Sequence, residues 1–203
     1  MFFQSLFRHH LKSHLHHRQH GLRYKVSVTT FEASPNARKR PMPVLFVSTN
    51  TPHAIATQWQ TRLSDLGYDS AVAQFSEPDG QGDSVLKAWY QELHEQVQKM
   101  AMFPPVMIGH GEAAWRLCQK YVANQPLSAL ILVDGPSSID AATLPSFEFE
   151  PYFPLMVATN NVPSFLLEYK EDIDVFSSTV ATTQDDNEQR NQDQVVSWIA
   201  ESL

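Results

Sequence analysis

The chain has 203 residues, 42% of them hydrophobic and 18% charged, with one cysteine and a formal net charge of −7. That is enough chain for one domain with a real core. Lone Cys118 excludes an internal disulfide and suits a reducing compartment or the mitochondrial matrix, and no stretch nears the roughly 18 apolar residues of a membrane span. The charge is uneven: residues 1–40 hold eight of the fifteen Lys/Arg against one acid, Glu32, while 41–203 hold seven bases against twenty-one acids, a formal −14. A surface of that sign repels a phosphate backbone, so no nucleic acid is expected on the folded part.

Within the first twenty residues Phe3, Leu6, Phe7, Leu11 and Leu15 recur at three- and four-residue steps, an apolar helical stripe. Arg8, Lys12, His16 and Arg18 fall largely outside it, and no acid occurs. A basic, amphipathic, acid-free start reads as a mitochondrial transit peptide, and the lack of an unbroken apolar core argues against a secretory signal. This places a leader over 1–22 and a folded domain over 23–203. The competing reading is a basic helix or arm that touches acidic lipid or nucleic acid. Six of the nine histidines lie here, with His10/His14 and His16/His20 at i,i+4 spacing. No cysteine or carboxylate stands near to complete a metal site, so neither metal nor cofactor is expected.

From Tyr24 the pattern changes. Tyr24–Phe31 alternates like a half-exposed strand, and 34–41 (Ser-Pro-Asn-Ala-Arg-Lys-Arg-Pro) reads as a loop. Val44–Val47 is wholly apolar, as a strand covered on both faces would be. A helix over Ala54–Leu66 stops at Gly67. Ser70–Phe75 is a strand, and a helix runs from Asp83 to about Met100, ended by Pro104-Pro105. Strand Val106–Ile108, helix Glu112–Asn124 and strand Leu127–Val133 follow, with Cys118 as a packing thiol. Phe153–Ala158 and Val175–Ala181 are further strands, Thr182–Gln194 is polar and acidic like a solvated loop, and Asp193–Leu203 closes the chain as a helix. Alternation of this length predicts an α/β fold, a mostly parallel sheet with helices on both faces.

One junction carries the chemistry. Val106-Met107-Ile108 runs into Gly109-His110-Gly111-Glu112-Ala113, and a helix opens at once. Strand, G-x-S-x-G turn and helix is the layout that lifts a serine above a sheet. Here Gly111 stands at the serine position and Ala113 at the last glycine. Glycine accepts the strained backbone of such a turn without steric cost, so the turn survives without a nucleophile. With Pro43–Val47, Trp59, Leu66-Gly67-Tyr68, the segment from Pro105 to Asp134 and Val195–Ile199 in order, the chain resembles the α/β-hydrolase superfamily over most of residues 21–203.

The resemblance implies a triad, and this sequence departs from it at each position. The nucleophile is replaced by Gly111. After the seventh strand of the family, where the acid is expected, stand Thr159, Asn160 and Asn161. No histidine follows His110, so the family's base, expected near Thr182–Gln184, is missing, and the oxyanion-side His-Gly becomes Ser48-Thr49. A triad works because base and nucleophile are bonded and an acid orients the base. Substitutes for a relocated site are Ser48, Asp134, Ser137 and Ser138, with His53, His94 or His110 as base. His110 marks the family more than a new base, and Glu112 suits a helix N-terminus electrostatically. Between the sixth strand and Pro154 there is too little chain for a helical lid. That segment holds Phe147, Phe149, Tyr152 and Phe153 interleaved with Glu148 and Glu150, a partner surface if exposed.

Two functions follow. One is a noncatalytic, mitochondrial α/β-hydrolase-like binding or scaffold module for a protein or a small apolar ligand. The other is an atypical esterase, thioesterase or lipase-like hydrolase with a relocated site. A nucleotide-binding fold is disfavoured by the absence of any G-x-G-x-x-G or P-loop run.

Overall fold

The computed structural model describes residues 26–49, 51–76, 82–99, 104–135, 140–177 and 184–203. The expected leader, Ser137, Ser138, Thr182 and Thr183 lie outside these residues, as do Tyr24 and residues 178–181 of two expected strands. Seven strands form one sheet: β1 (Val26–Phe31), β2 (Val44–Thr49), β3 (Ser70–Phe75), β4 (Val106–His110), β5 (Ala129–Val133), β6 (Leu155–Ala158) and β7 (Asp174–Phe176). Their spatial order is β1-β3-β2-β4-β5-β6-β7. Among the described residues only the β1–β3 pair is antiparallel, and the others run parallel from Val44 beside Ser70 to Ala158 beside Phe176.

β2, β4, β5 and β6 are buried along their whole length, which explains their unbroken apolar runs. Successive side chains point to opposite faces and build two layers. Leu45, Val47, Ala71, Ala73, Met107, Leu130 and Leu132 face helices α2 (Asp83–Lys99) and α3 (Glu112–Val122). Val44, Phe46, Val72, Val106, Ile108, Ile131 and Val133 face α1 (His53–Asp65) and α4 (Gln184–Ser202). Trp89 anchors the first layer and Trp59 the second, both fully buried. Cys118 is also fully buried, and burial pushes its thiol pKa up, so it packs as a small apolar group. No helix among the described residues is long and apolar enough to cross a membrane.

Two expectations need correction. The last strand ends its described pairing at Phe176, with its first residue at Asp174. The expected loop Thr182–Gln194 is helical from Gln184 onward, so α4 starts nine residues before Asp193. Its buried stripe is Glu188, Asn191, Gln192, Val195, Trp198 and Ile199, at steps of three and four. The first half of that stripe is polar, which hides the helical period from an apolar pattern. Glu188 meets Trp59 and His110 across the layer, and the amide nitrogens of Asn191 and Gln192 find partners while their oxygens are buried without one.

The order of strands also sets the site. The chain passes from β2 to β3 on one side, then crosses back to β4 on the other. The carboxyl ends of β2 and β4 therefore flank a topological switch point, where open α/β sheets bind their ligands.

Candidate functional site

Gly111 joins β4 to α3 at this point, with φ +85° and ψ 152°, a backbone that disfavours any β-carbon. The turn is held by backbone bonds, not by a side-chain cap. Gly111 N donates to Val133 O (2.9 Å), and Trp115 N donates to Gly111 O (3.1 Å) to open the helix. The Trp115 indole N–H reaches both Gly109 O (3.0 Å) and Val133 O (2.9 Å) from beneath. Ala113 is buried, while Glu112 is exposed in the first turn of α3, the place where the helix dipole favours a carboxylate. A cavity of about 100 Å³ lies beside the turn, lined by Glu112, Trp115, Gln119, Asn161 and Pro163. It is smaller than the roughly 300–1,000 Å³ of ordinary small-molecule sites.

His110, one residue earlier, turns to the α1–α4 side. Its ring is fully buried, 5.3 Å from the Phe46 ring, and bonded at both nitrogens. Nε2 meets Glu188 Oε2 at 2.9 Å, and Nδ1 meets Thr51 Oγ1 at 3.2 Å. Glu188 Oε1 accepts from the Trp59 indole (2.6 Å) and from Gln192 Nε2 (3.3 Å). Burial alone would raise the Glu188 carboxyl, yet the bond and charge of His110, with the Trp59 and Gln192 donors, hold it below its ordinary value. With Glu188 ionised, Nε2 carries a hydrogen. In the neutral ring Nδ1 accepts from the Thr51 hydroxyl, and in the charged ring it donates to that oxygen. Gly135 closes the other side: a β-carbon there would stand 2.4 Å from His110 Cε1 and 2.6 Å from both ring nitrogens.

Hydroxyl, imidazole and carboxylate thus stand in the order of a nucleophile, a base and its orienting acid. Thr51 and Glu188 were not among the candidates read from the sequence. Their signals are faint: Thr51 follows β2 by two residues, and Glu188 lies seven before Val195 on the α4 stripe. The chain of bonds is dry, with Thr51, His110 and Glu188 exposed by only 2%, 0% and 7%.

None of the other described candidates is hydrogen-bonded to a histidine, although Ser48 stands beside His110 in the β2–β4 register. Ser48 and Thr49 end β2 fully buried, and neither hydroxyl has a hydrogen-bond partner. Asp134 is half-buried, and its carboxylate accepts from Asn160 N (3.4 Å), tying β5 to the loop after β6. Thr159 Oγ1 accepts from Asn161 N (3.0 Å) in that loop. His53 is exposed, and His94 stacks on Tyr90 at 5.9 Å while bonding Gln98 (2.8 Å) on α2.

The segment after β5 contains a 3-10 turn, Ala141–Thr143, whose start is capped by Asp140 Oδ1 on Ala142 N (2.9 Å). From Pro145 to Pro154 it is a strap without regular secondary structure. Phe147, Phe149 and Phe153 pack inward on the α2–α3 layer, and Glu148, Glu150 and Tyr152 point out. A second 3-10 turn, Ser164–Tyr169, lies alongside it. A cleft of about 460 Å³ runs between strap and turn. Among the described residues, no group of three or more His, Cys, Asp or Glu is placed to hold a metal ion.

The sequence matches no protein-family model and no curated protein sequence. Solved structures are similar in shape. An esterase (EaEST) from Exiguobacterium antarcticum superposes with a TM-score of 0.57 at 10% identity, over 88% of this chain and 96% of that one. Est1E from Butyrivibrio proteoclasticus gives 0.53 at 12% identity, over 88% and 96%. An alpha/beta hydrolase fold protein from Burkholderia ambifaria gives 0.51 at 8% identity, over 76% and 86%. At such identities the likeness is one of fold, and the chain has the α/β-hydrolase fold.

Proposed function

We propose that this chain, with its α/β-hydrolase fold, is a noncatalytic binding or scaffold module that works in mitochondria. One observation supports the reading: β4 passes into α3 through a tight turn with φ +85° at Gly111, the position that the sequence pattern matches to the nucleophile, and glycine has no atom able to attack a carbonyl. The histidine nearest that turn is engaged at both nitrogens and shielded from solvent. A shared fold does not confer a relative's activity. What remains is a rigid sheet that carries an aromatic, acidic surface.

Turnover of ethyl butyrate, followed in a pH-stat, tests the noncatalytic half, because an unactivated ester avoids the background of surface histidines. The expected rate is that of buffer. The second reading, a relocated ester or thioester hydrolase, draws on the Thr51–His110–Glu188 chain of bonds. It requires sustained turnover that Thr51→Val abolishes. The mitochondrial half rests on the acid-free amphipathic start. Fusing residues 1–30 to a fluorescent reporter tests it, with organellar signal expected and diffuse or secreted signal against it.

A further inference from the structure

The strap and the turn Ser164–Tyr169 form an aromatic groove. Phe149 and Phe165 meet edge to face at 5.5 Å, Phe149 stacks on Phe153 at 5.8 Å, and Tyr169 lines the same cleft. The apolar surface continues beyond it: Tyr152 is 82% and Leu167 54% exposed, two of the three large hydrophobic side chains that stand exposed among the described residues. Phe149, Phe165 and Tyr169 are half-buried against the α2–α3 layer and leave part of each ring to the cleft, and rings partly open around a concavity suit an interface.

Charge selects the occupant. Glu148, Glu150 and Glu168 ring the groove, and among the described residues none of them is in a salt bridge, Glu150 being met by the Tyr152 phenol alone. Residues 140–177 hold seven acids and a single base, Lys170. The phenol of Tyr169 is raised by desolvation and then by Glu150, Glu168 and Glu148 in turn, so all three carboxylates act on one point of the wall. The strap already receives one cation from its own chain, since Lys120 Nζ lies 4.4 Å above the Phe147 ring. Carboxylates beside ring faces attract a cation on a flexible stem, whose methylenes lie along the aromatics while its head meets the acids.

We propose that this groove binds the Lys or Arg side chain of a basic segment on a partner protein. The proposal rests on the binding-module reading and names the partner's chemistry.

The test uses the full chain and two peptides, acetyl-Gly-Arg-Gly-Lys-Gly-amide and its Gln-for-Arg/Lys counterpart, with NMR shifts of Phe149, Phe165 and Tyr169 as the readout. The basic peptide is expected to give saturable shifts, and the neutral one none. Glu148→Gln/Glu150→Gln/Glu168→Gln is expected to weaken binding at least about tenfold at unchanged melting temperature, and Phe165→Leu or Tyr169→Leu severalfold with the fold retained by circular dichroism. Equal shifts from both peptides overturn the proposal. So does binding that ignores both aromatic substitutions and vanishes only with salt, which marks a diffuse acidic surface. Groove signals that move on Arg8→Gln/Lys12→Gln/Arg18→Gln without peptide would assign the groove to the chain's own basic segment, against a partner. Ester turnover sinks the noncatalytic reading and leaves a binding result standing, whereas missing binding without turnover sinks this inference alone.

Discussion

Two polar regions of this molecule are opposites. Around His110 the groups of a triad are present and every nitrogen is paired, but the node is sealed. Around the strap, the Glu148, Glu150 and Glu168 carboxylates are exposed and in no salt bridge among the described residues, beside rings that are half-buried. Chemistry needs an exposed, activated atom, and recognition needs exposed, unsatisfied ones. By that criterion the His110 node is a structural pin and the strap is the working surface. The buried pin joins β4, the loop after β2, α1 and α4, elements far apart in sequence.

If His110–Glu188 is a pin, removing its centre carries the largest effect. Glu188→Ala strands the donors of His110, Trp59 and Gln192, and about 3–5 kcal/mol of stability should be lost in urea unfolding. A change under ~1 kcal/mol would contradict the pin. Acid probes the same node. A carboxyl held below its ordinary 4.5 contributes fully above that pH, and the contribution drains as pH falls through the depressed folded value. Stability should therefore fall below about pH 4.5, more steeply in the native chain than in Glu188→Gln, as melting temperatures against pH will record. Gly135→Ala, which drives a β-carbon into the imidazole, should cost about 1–3 kcal/mol.

Smaller effects sharpen the contrast. Gly111→Ser restores a hydroxyl at the elbow, but at φ +85° it should cost of order 1 kcal/mol or more. It should also give no esterase, because the adjacent imidazole already holds Thr51 and Glu188; measurable ethyl butyrate turnover by this variant would show that His110 is free to act. At the strap, Tyr152→Ser should leave stability within about 0.5 kcal/mol, as expected for a surface site. A larger loss in chemical unfolding would mean that Tyr152 is part of the core.

What could be read in advance follows from which groups are apolar. The central strands announce themselves because both their faces are covered, and the Gly109–Ala113 turn because glycine and a following helix leave a local trace. The pin left none. Glu188 and Gln192 sit on the buried stripe of α4, yet as polar residues in a run from Gln184 to Gln194 they resemble a solvated loop. Their burial depends on Trp59 and His110, more than seventy residues away, and such pairing is invisible to a local pattern. Gly135 is a similar case, since its need for a bare backbone comes from a ring on another strand. The strap was legible in composition, through aromatics alternating with glutamates. The cleft depends on the turn Ser164–Tyr169, which only the fold brings alongside.

The most direct measurement is mass spectrometry of the native chain after prolonged exposure to a fluorophosphonate, which traps activated hydroxyls. A sealed pin predicts no adduct at Thr51, Ser48 or any other hydroxyl. A stoichiometric adduct on Thr51 that disappears in His110→Gln, with the fold retained, would contradict it and turn the pin into a catalytic site.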